Sequence, residues 1–157
     1  MQDQSPALLK ALEKIGRNGG TFHSKPPAKP YAFPGGTHLA ISDEVHQNLW
    51  RFELTPMARH LLDHFTAAHD EDGIVTASQQ ELGRYFGCHH SKISRAIKLL
   101  DQHNFAWKAR QKRYQLNPLY AYRWGSEKHR ALSIRLKKVL AERQITPPLK
   151  DSEMRNR

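Results

Sequence analysis

Between Pro56 and Leu100 the apolar residues recur every three or four places, whereas from Phe105 to Leu116 they recur at every second place. The change of period separates helices from a β hairpin. Met57, Leu61, Leu62 and Phe65 form the stripe of a first helix, which Thr55 caps and Pro56 opens at a position where no hydrogen bond is lost. Asp70-Glu71-Asp72-Gly73 ends it in a turn, and GIVTA is a short β stretch. Ser78 and Glu81 stand at capping-box spacing before a second helix, Gln79 to Phe86, with Leu82, Tyr85 and Phe86 as its inner face. Gly83 suits a close helix crossing, Gly87 supplies a turn, and Cys88 follows as a small apolar plug. Ile93, Ala96, Ile97 and Leu100 line the inner side of the next helix.

Phe105, Trp107 and Ala109 alternate with Ala106, Lys108 and Arg110, then Tyr114 and Leu116 alternate with Arg113 and Gln115. This predicts a hairpin, turning near Gln111, with one apolar and one cationic side. Without glycine, a tight two-residue primed turn is not expected. Upstream, THLAIS reads as a brief strand and SDEVHQNLWRF as a short helix opened by Ser42 or Asp43. The expected fold is mainly α with a small β hairpin: a winged helix-turn-helix over residues 37–125. Before it, Leu8, Leu9, Leu12 and Ile15 mark a short helix, and residues 16–36 a Gly/Pro-rich arm, so 1–36 form a flexible N-terminal extension. After it, residues 126–145 form a basic amphipathic helix with Leu132, Leu136, Val139 and Leu140 on one face. That face either pairs with a second copy, giving a homodimer, or folds back on its own core. Thr146-Pro147-Pro148 stops the helix, and 146–157 are expected to be a disordered tail.

The outward residues of the second helix of the pair carry the candidate chemistry. His89, His90, Ser91, Lys92, Ser94, Arg95 and Lys98 can each hydrogen-bond a base edge or phosphate, and none is acidic. Lys108, Arg110, Lys112 and Arg113 crowd the hairpin tip, where a wing meets the DNA backbone. Charge falls in the same place. Residues 1–88 hold 8 Lys/Arg against 10 Asp/Glu, residues 89–157 hold 17 against 5, and the whole chain carries +10. A polyanion, double-stranded DNA, is the expected partner. Arg95 is the main candidate for base specificity, since its guanidinium matches the acceptors of guanine.

GCHHSKISRAIKLL is similar, without a gap, to the reading helix of the catabolite activator protein family, over about twenty residues. The resemblance implies base contacts from His90, Ser91 and Arg95. The chain keeps the arginine but has His and Ser at the other two places, so the family's operator does not carry over, and no cyclic-nucleotide domain precedes the motif. Over about residues 52–130 the chain also resembles RepL-type plasmid replication proteins and related actinobacterial winged-helix proteins on mobile elements. Tyr114, Leu116, Asn117, Pro118, Tyr122 and Gly125 carry that likeness, with the order LTPMARHLL then ISRAIKLL. It implies binding of an origin or operator in plasmid replication or copy control. A transcriptional repressor of a nearby promoter is the alternative.

Other chemistry is poorly represented. The sequence contains no Gly-rich phosphate loop, nucleophile elbow or HExxH, and the only adjacent histidines lie in the reading helix, so no enzyme and no cofactor are expected. His60 and His64, with Asp63 and His69 nearby, and the pair His89-His90 invite a metal reading, which would make the chain a metal- or ligand-responsive sensor; no metal ligand set is assigned. His89 and His90 would add positive charge at DNA below about pH 6.5. One cysteine, the absence of a basic-then-apolar leader and the absence of a long apolar run lead to the expectation of a cytoplasmic chain without a membrane.

Overall fold

The computed structural model describes residues 38–150; the expected N-terminal helix and arm, and residues 151–157 of the tail, lie outside them. Strand β1 (Ala40–Ile41) leads to Ser42, whose hydroxyl caps α1 (Asp43–Gln47), and the chain then makes a 3-10 turn at Leu49–Phe52. Thr55 Oγ1 accepts the Ala58 N–H at 3.2 Å and opens α2 (Pro56–Ala68). Strand β2 (Ile74–Thr76) follows the acidic turn, where Gly73 takes φ 72. The predicted capping box is formed at α3 (Gln79–Phe86): Ser78 Oγ accepts from Glu81 N–H at 3.1 Å, and the Glu81 carboxylate from Ser78 N–H at 2.6 Å. Helix α4 spans His90–Gln102.

Local chemistry also sets how α3 meets α4. Gly87 adopts φ 64, and the Cys88 N–H returns to the Gly83 carbonyl at 2.8 Å. A Cβ on Gly83 would stand 2.7 Å from the Cys88 carbonyl oxygen, so a larger residue would force the two helices apart. Leu61, Leu62 and Phe65 of α2 meet Ile93, Ala96 and Leu100 of α4 in one core, closed by Leu82, Phe105, Tyr114 and Leu116. Tyr85 departs from its expected place on the inner face. It is 69 % exposed and packs against the His64 ring at 4.6 Å, because only Leu82 and the half-buried Phe86 of α3 face the core.

Strands β3 (Ala106–Arg110) and β4 (Arg113–Leu116) form the predicted hairpin, and β2 joins the far side of β4, giving the antiparallel order β2-β4-β3. A separate antiparallel pair links β1 to β5 (Ala121–Tyr122). The hairpin closes in two residues, Gln111 and Lys112, with Lys112 at φ 57. The turn is tight but, in line with the expectation, not primed: the left-handed residue is the second alone, and a register irregularity between Lys108 and Arg110 accompanies it.

The expected division into an apolar and a cationic side also fails at the hairpin's base. Ala106 and Trp107 are both buried, as are Gln115 and Leu116, whereas Lys108 to Arg113 are exposed throughout. The reason is a cover on the second face. Arg143 stacks on the Trp107 ring at 4.9 Å, and Gln115 Nε2 donates to the carbonyls of Asp72 and Gly73.

The C-terminal segment supplies that cover and folds back on its own core. It forms two helices, α5 (Ser126–Arg135) and α6 (Lys137–Glu142), instead of one over 126–145. Leu132 and Leu140 are buried, while Val139, expected on the same face, is 38 % exposed. An unbroken helix would turn residues eight apart by about 80° relative to each other. The change of conformation at Leu136 (φ −94, ψ 10) brings both leucines inward. After α6 the backbone is held by side-chain amides: Asn117 Nδ2 donates to the Arg143 carbonyl at 2.8 Å and Asn104 Nδ2 to that of Gln144 at 2.9 Å. The tail is described as far as Lys150, whose ammonium lies 5.7 Å from the Trp50 ring, and no helix or strand occurs over residues 143–150. The described chain is thus a mixed α/β fold of helices around a small antiparallel sheet, compatible with a winged helix-turn-helix.

Candidate nucleic-acid interface

The apolar stripe of α4 is buried as its spacing predicts, and this alone turns His90, Ser91, Lys92, Ser94, Arg95 and Lys98 to solvent. The helix's one carboxylate, Asp101, lies at the opposite end and is engaged by Arg143. His89 is exposed but belongs to the N-cap, not to the helix face. Its Nδ1 accepts the Ser91 N–H at 3.2 Å and lies 2.9 Å from Ser91 Oγ. His89 and Ser91 are therefore tied to each other, and a base contact from Ser91 would have to compete with that bond.

Lys108, Arg110, Lys112 and Arg113 are exposed around the hairpin tip. A cleft of about 300 Å³ joins this tip to the start of α4; Gln79, Gln80, His90, Lys108, Gln111 and Lys112 line it. A broader depression of about 670 Å³ runs along the other side of the turn, past Gln80, Arg84, Cys88, His89 and His90. Gln80 and Arg84 were missed from the sequence. They are two of the exposed residues of α3, beside Glu81 and Tyr85, and their spacing of four was the available signal. A third hollow, of about 280 Å³, lies between the start of α2 and α4, lined by Thr55, Pro56, Met57, Lys92, Arg95, Ala96 and Leu99.

Glu81 follows Gln80 of the cleft lining, and the hydrogen bonds from the Ser78 backbone and side chain, with lesser contributions from Lys112 and Arg84, hold its pKa below the usual carboxylate range. No ion pair among the described residues takes up Lys92, Arg95, Lys98, Lys108, Arg110, Lys112 or Arg113. These cations therefore have no ion pair among the described residues to break before meeting an anion.

Of the histidines considered for metal, His89 and His90 bring their rings to 4.2 Å, but no group of three or more His, Cys, Asp or Glu suited to a metal occurs among the described residues. His60 is exposed, and His64 packs against Tyr85 and Phe86, where burial lowers its pKa. His69 is buried: its Nδ1 lies 3.1 Å from the Phe65 carbonyl, and its Nε2 accepts the Arg123 N–H at 3.2 Å. These bonds fix a neutral ring with the proton on Nδ1, and burial pushes the pKa down. No helix among the described residues is long and apolar enough to cross a membrane.

No family model matches the chain, and neither the curated proteins nor the solved structures compared with it yielded a match.

Proposed function

We propose that this chain is a winged helix-turn-helix protein that binds double-stranded DNA, with α4 in the major groove and the β3–β4 hairpin against the flanking backbone. The observation that carries the reading is the cleft shared by His90 of α4 and Lys108 and Lys112 of the hairpin, continuous with a helix face that has no carboxylate before Asp101. Helix and wing then address one duplex together, as such motifs require. Arg95, exposed and without an ion-pair partner among the described residues, is the residue assigned to base reading; Lys98 and the hairpin cations are assigned to phosphate.

The likeness to RepL-type proteins extends this to replication or copy control on a plasmid or other mobile element, through an origin or operator. A homodimer on an inverted repeat remains part of the proposal, but Leu132 and Leu140 of the apolar stripe are buried within the chain itself, so a contact between copies would not use them. Selection of bound duplexes from a random pool tests the reading. A recovered inverted repeat with half-sites about one helical turn apart supports a dimeric reader. Recovery of no preferred sequence, together with no binding at low ionic strength, overturns it. Loss of origin function without the protein supports initiation, and derepression of a promoter supports the repressor.

A further inference from the structure

The hollow between α2 and α4 has a composition that DNA alone does not explain. Its floor is apolar: Pro56 and Met57 from the first turn of α2, with Ala96 and Leu99 of α4, where Ala96 is buried and Met57 and Leu99 pack against the core edge. Its rim carries Lys92 and Arg95, three apart and therefore neighbours on α4. No carboxylate lines it, and the Thr55 hydroxyl is already used by the Ala58 N–H. A bare phosphate would gain nothing from the apolar floor, and a neutral apolar molecule would leave both cations without a partner. The volume, about 280 Å³, lies at the lower edge of small-molecule sites and suits a single ring with a short acid arm.

We propose that this hollow binds a small amphipathic carboxylate, its apolar part on Met57 and Leu99 and its carboxylate on Lys92 and Arg95, and that the bound acid releases DNA. The second half rests on the DNA-binding reading, because it assigns the same two cations to the duplex. An acid seated there neutralises both and stands between α4 and the groove. Ligand and duplex then exclude each other. Duplex affinity should fall about tenfold when the acid is present at ten times its own Kd.

The test uses the full chain, with phenylacetate as the probe and phenylacetamide as its neutral counterpart, each titrated without DNA by calorimetry and by NMR shifts of the Met57 and Leu99 methyl groups. Binding of the acid at millimolar concentration, and not of the amide, supports the site. So does its loss in Met57→Glu, a substitution in the first turn of α2, where a carboxylate is favoured, with thermal unfolding showing the variant folded. Arg95→Gln should weaken the acid as well. Equal binding of acid and amide, acid binding that survives Met57→Glu, or no shift at about 10 mM overturns the proposal. Duplex titrations with and without phenylacetate then test release. If duplex binds and the acid has no effect on it, the regulatory half fails while the DNA reading stands. If the acid binds and no duplex does, the DNA reading and release fail together, and the pocket remains.

Discussion

On α4 and the hairpin tip, Lys92, Arg95, Lys98, Lys108, Arg110, Lys112 and Arg113 face solvent outside any ion pair among the described residues; at the opposite face of the sheet, Lys128, Arg135 and Arg143 close on Glu71, Asp72 and Asp101. Both groups contribute to the same positive half of the sequence. The second group is structural: it fastens the C-terminal helices across the turn before β2 and the end of α4. Arg130, Lys137 and Lys138 stay exposed there, but they sit on the layer that covers the sheet rather than beside α4. Net charge therefore overstates what is offered to a polyanion. What distinguishes α4 and the hairpin tip is that their cations stand outside every ion pair among the described residues.

The comparison can be broken from either side. The largest effect is expected in the covering layer, from Leu132→Ala or Leu140→Ala. Each removes a buried side chain and should cost about 2–5 kcal/mol of stability in denaturant titrations, with DNA affinity of the folded protein unchanged. Duplex affinity falling in proportion would show that the two regions are not separable. The three surface ion pairs should contribute far less, since each is substantially exposed. On the reading side, Arg95→Ala should leave unfolding unchanged and cost about 1–3 kcal/mol on the selected site. Equal losses on selected and random duplex would reassign Arg95 to phosphate.

A smaller effect concerns the boundary of the reading helix. His89→Ala removes the acceptor for the Ser91 N–H and should cost about 1 kcal/mol, while His89→Asn, which keeps an acceptor, should restore most of it. The smallest effect at neutral pH is the burial of His69. Its folded pKa lies below the unfolded value of about 6.5, so the unfolded chain binds the proton more readily. Stability should be complete above that value and decline as pH falls below it towards the folded pKa. His64 and His103, lowered by burial as well, act in the same direction. A His69→Gln variant should show a shallower decline in thermal unfolding between neutral and mildly acidic pH.

What the sequence showed was what neighbouring residues decide. The caps at Thr55 and Ser78, the turn at Gly87 and the buried stripe Ile93-Ala96-Ile97-Leu100 each depend on groups within a few places in the chain, and each is present. The eleven candidate DNA contacts are exposed for the same reason: the stripe fixes which way α4 faces, and the tight turn carries the hairpin tip clear of the core. The failures share a different cause. Alternation predicts one wet face of a hairpin, but Trp107 and Gln115 are covered by groups contributed from residues 143 and 72–73. The break at Leu136 answers to a surface made by distant strands, and the use of His89 as a cap depends on a ring conformation that spacing does not encode. The clefts that join α3, α4 and the hairpin are likewise tertiary, which is why Gln80 and Arg84 went unnoticed.

The central claim is tested most directly by titrating a random-sequence duplex with the full chain over a salt series. The account predicts tight binding at low salt, with log K falling linearly against log salt by about 0.9 for each phosphate neutralised. Replacing Lys98 and Lys112 with Gln should make that slope shallower, and replacing Lys137 and Lys138 should leave it nearly unchanged. No binding at low ionic strength, or a slope that responds to the covering helices and not to α4 and the hairpin, would contradict it.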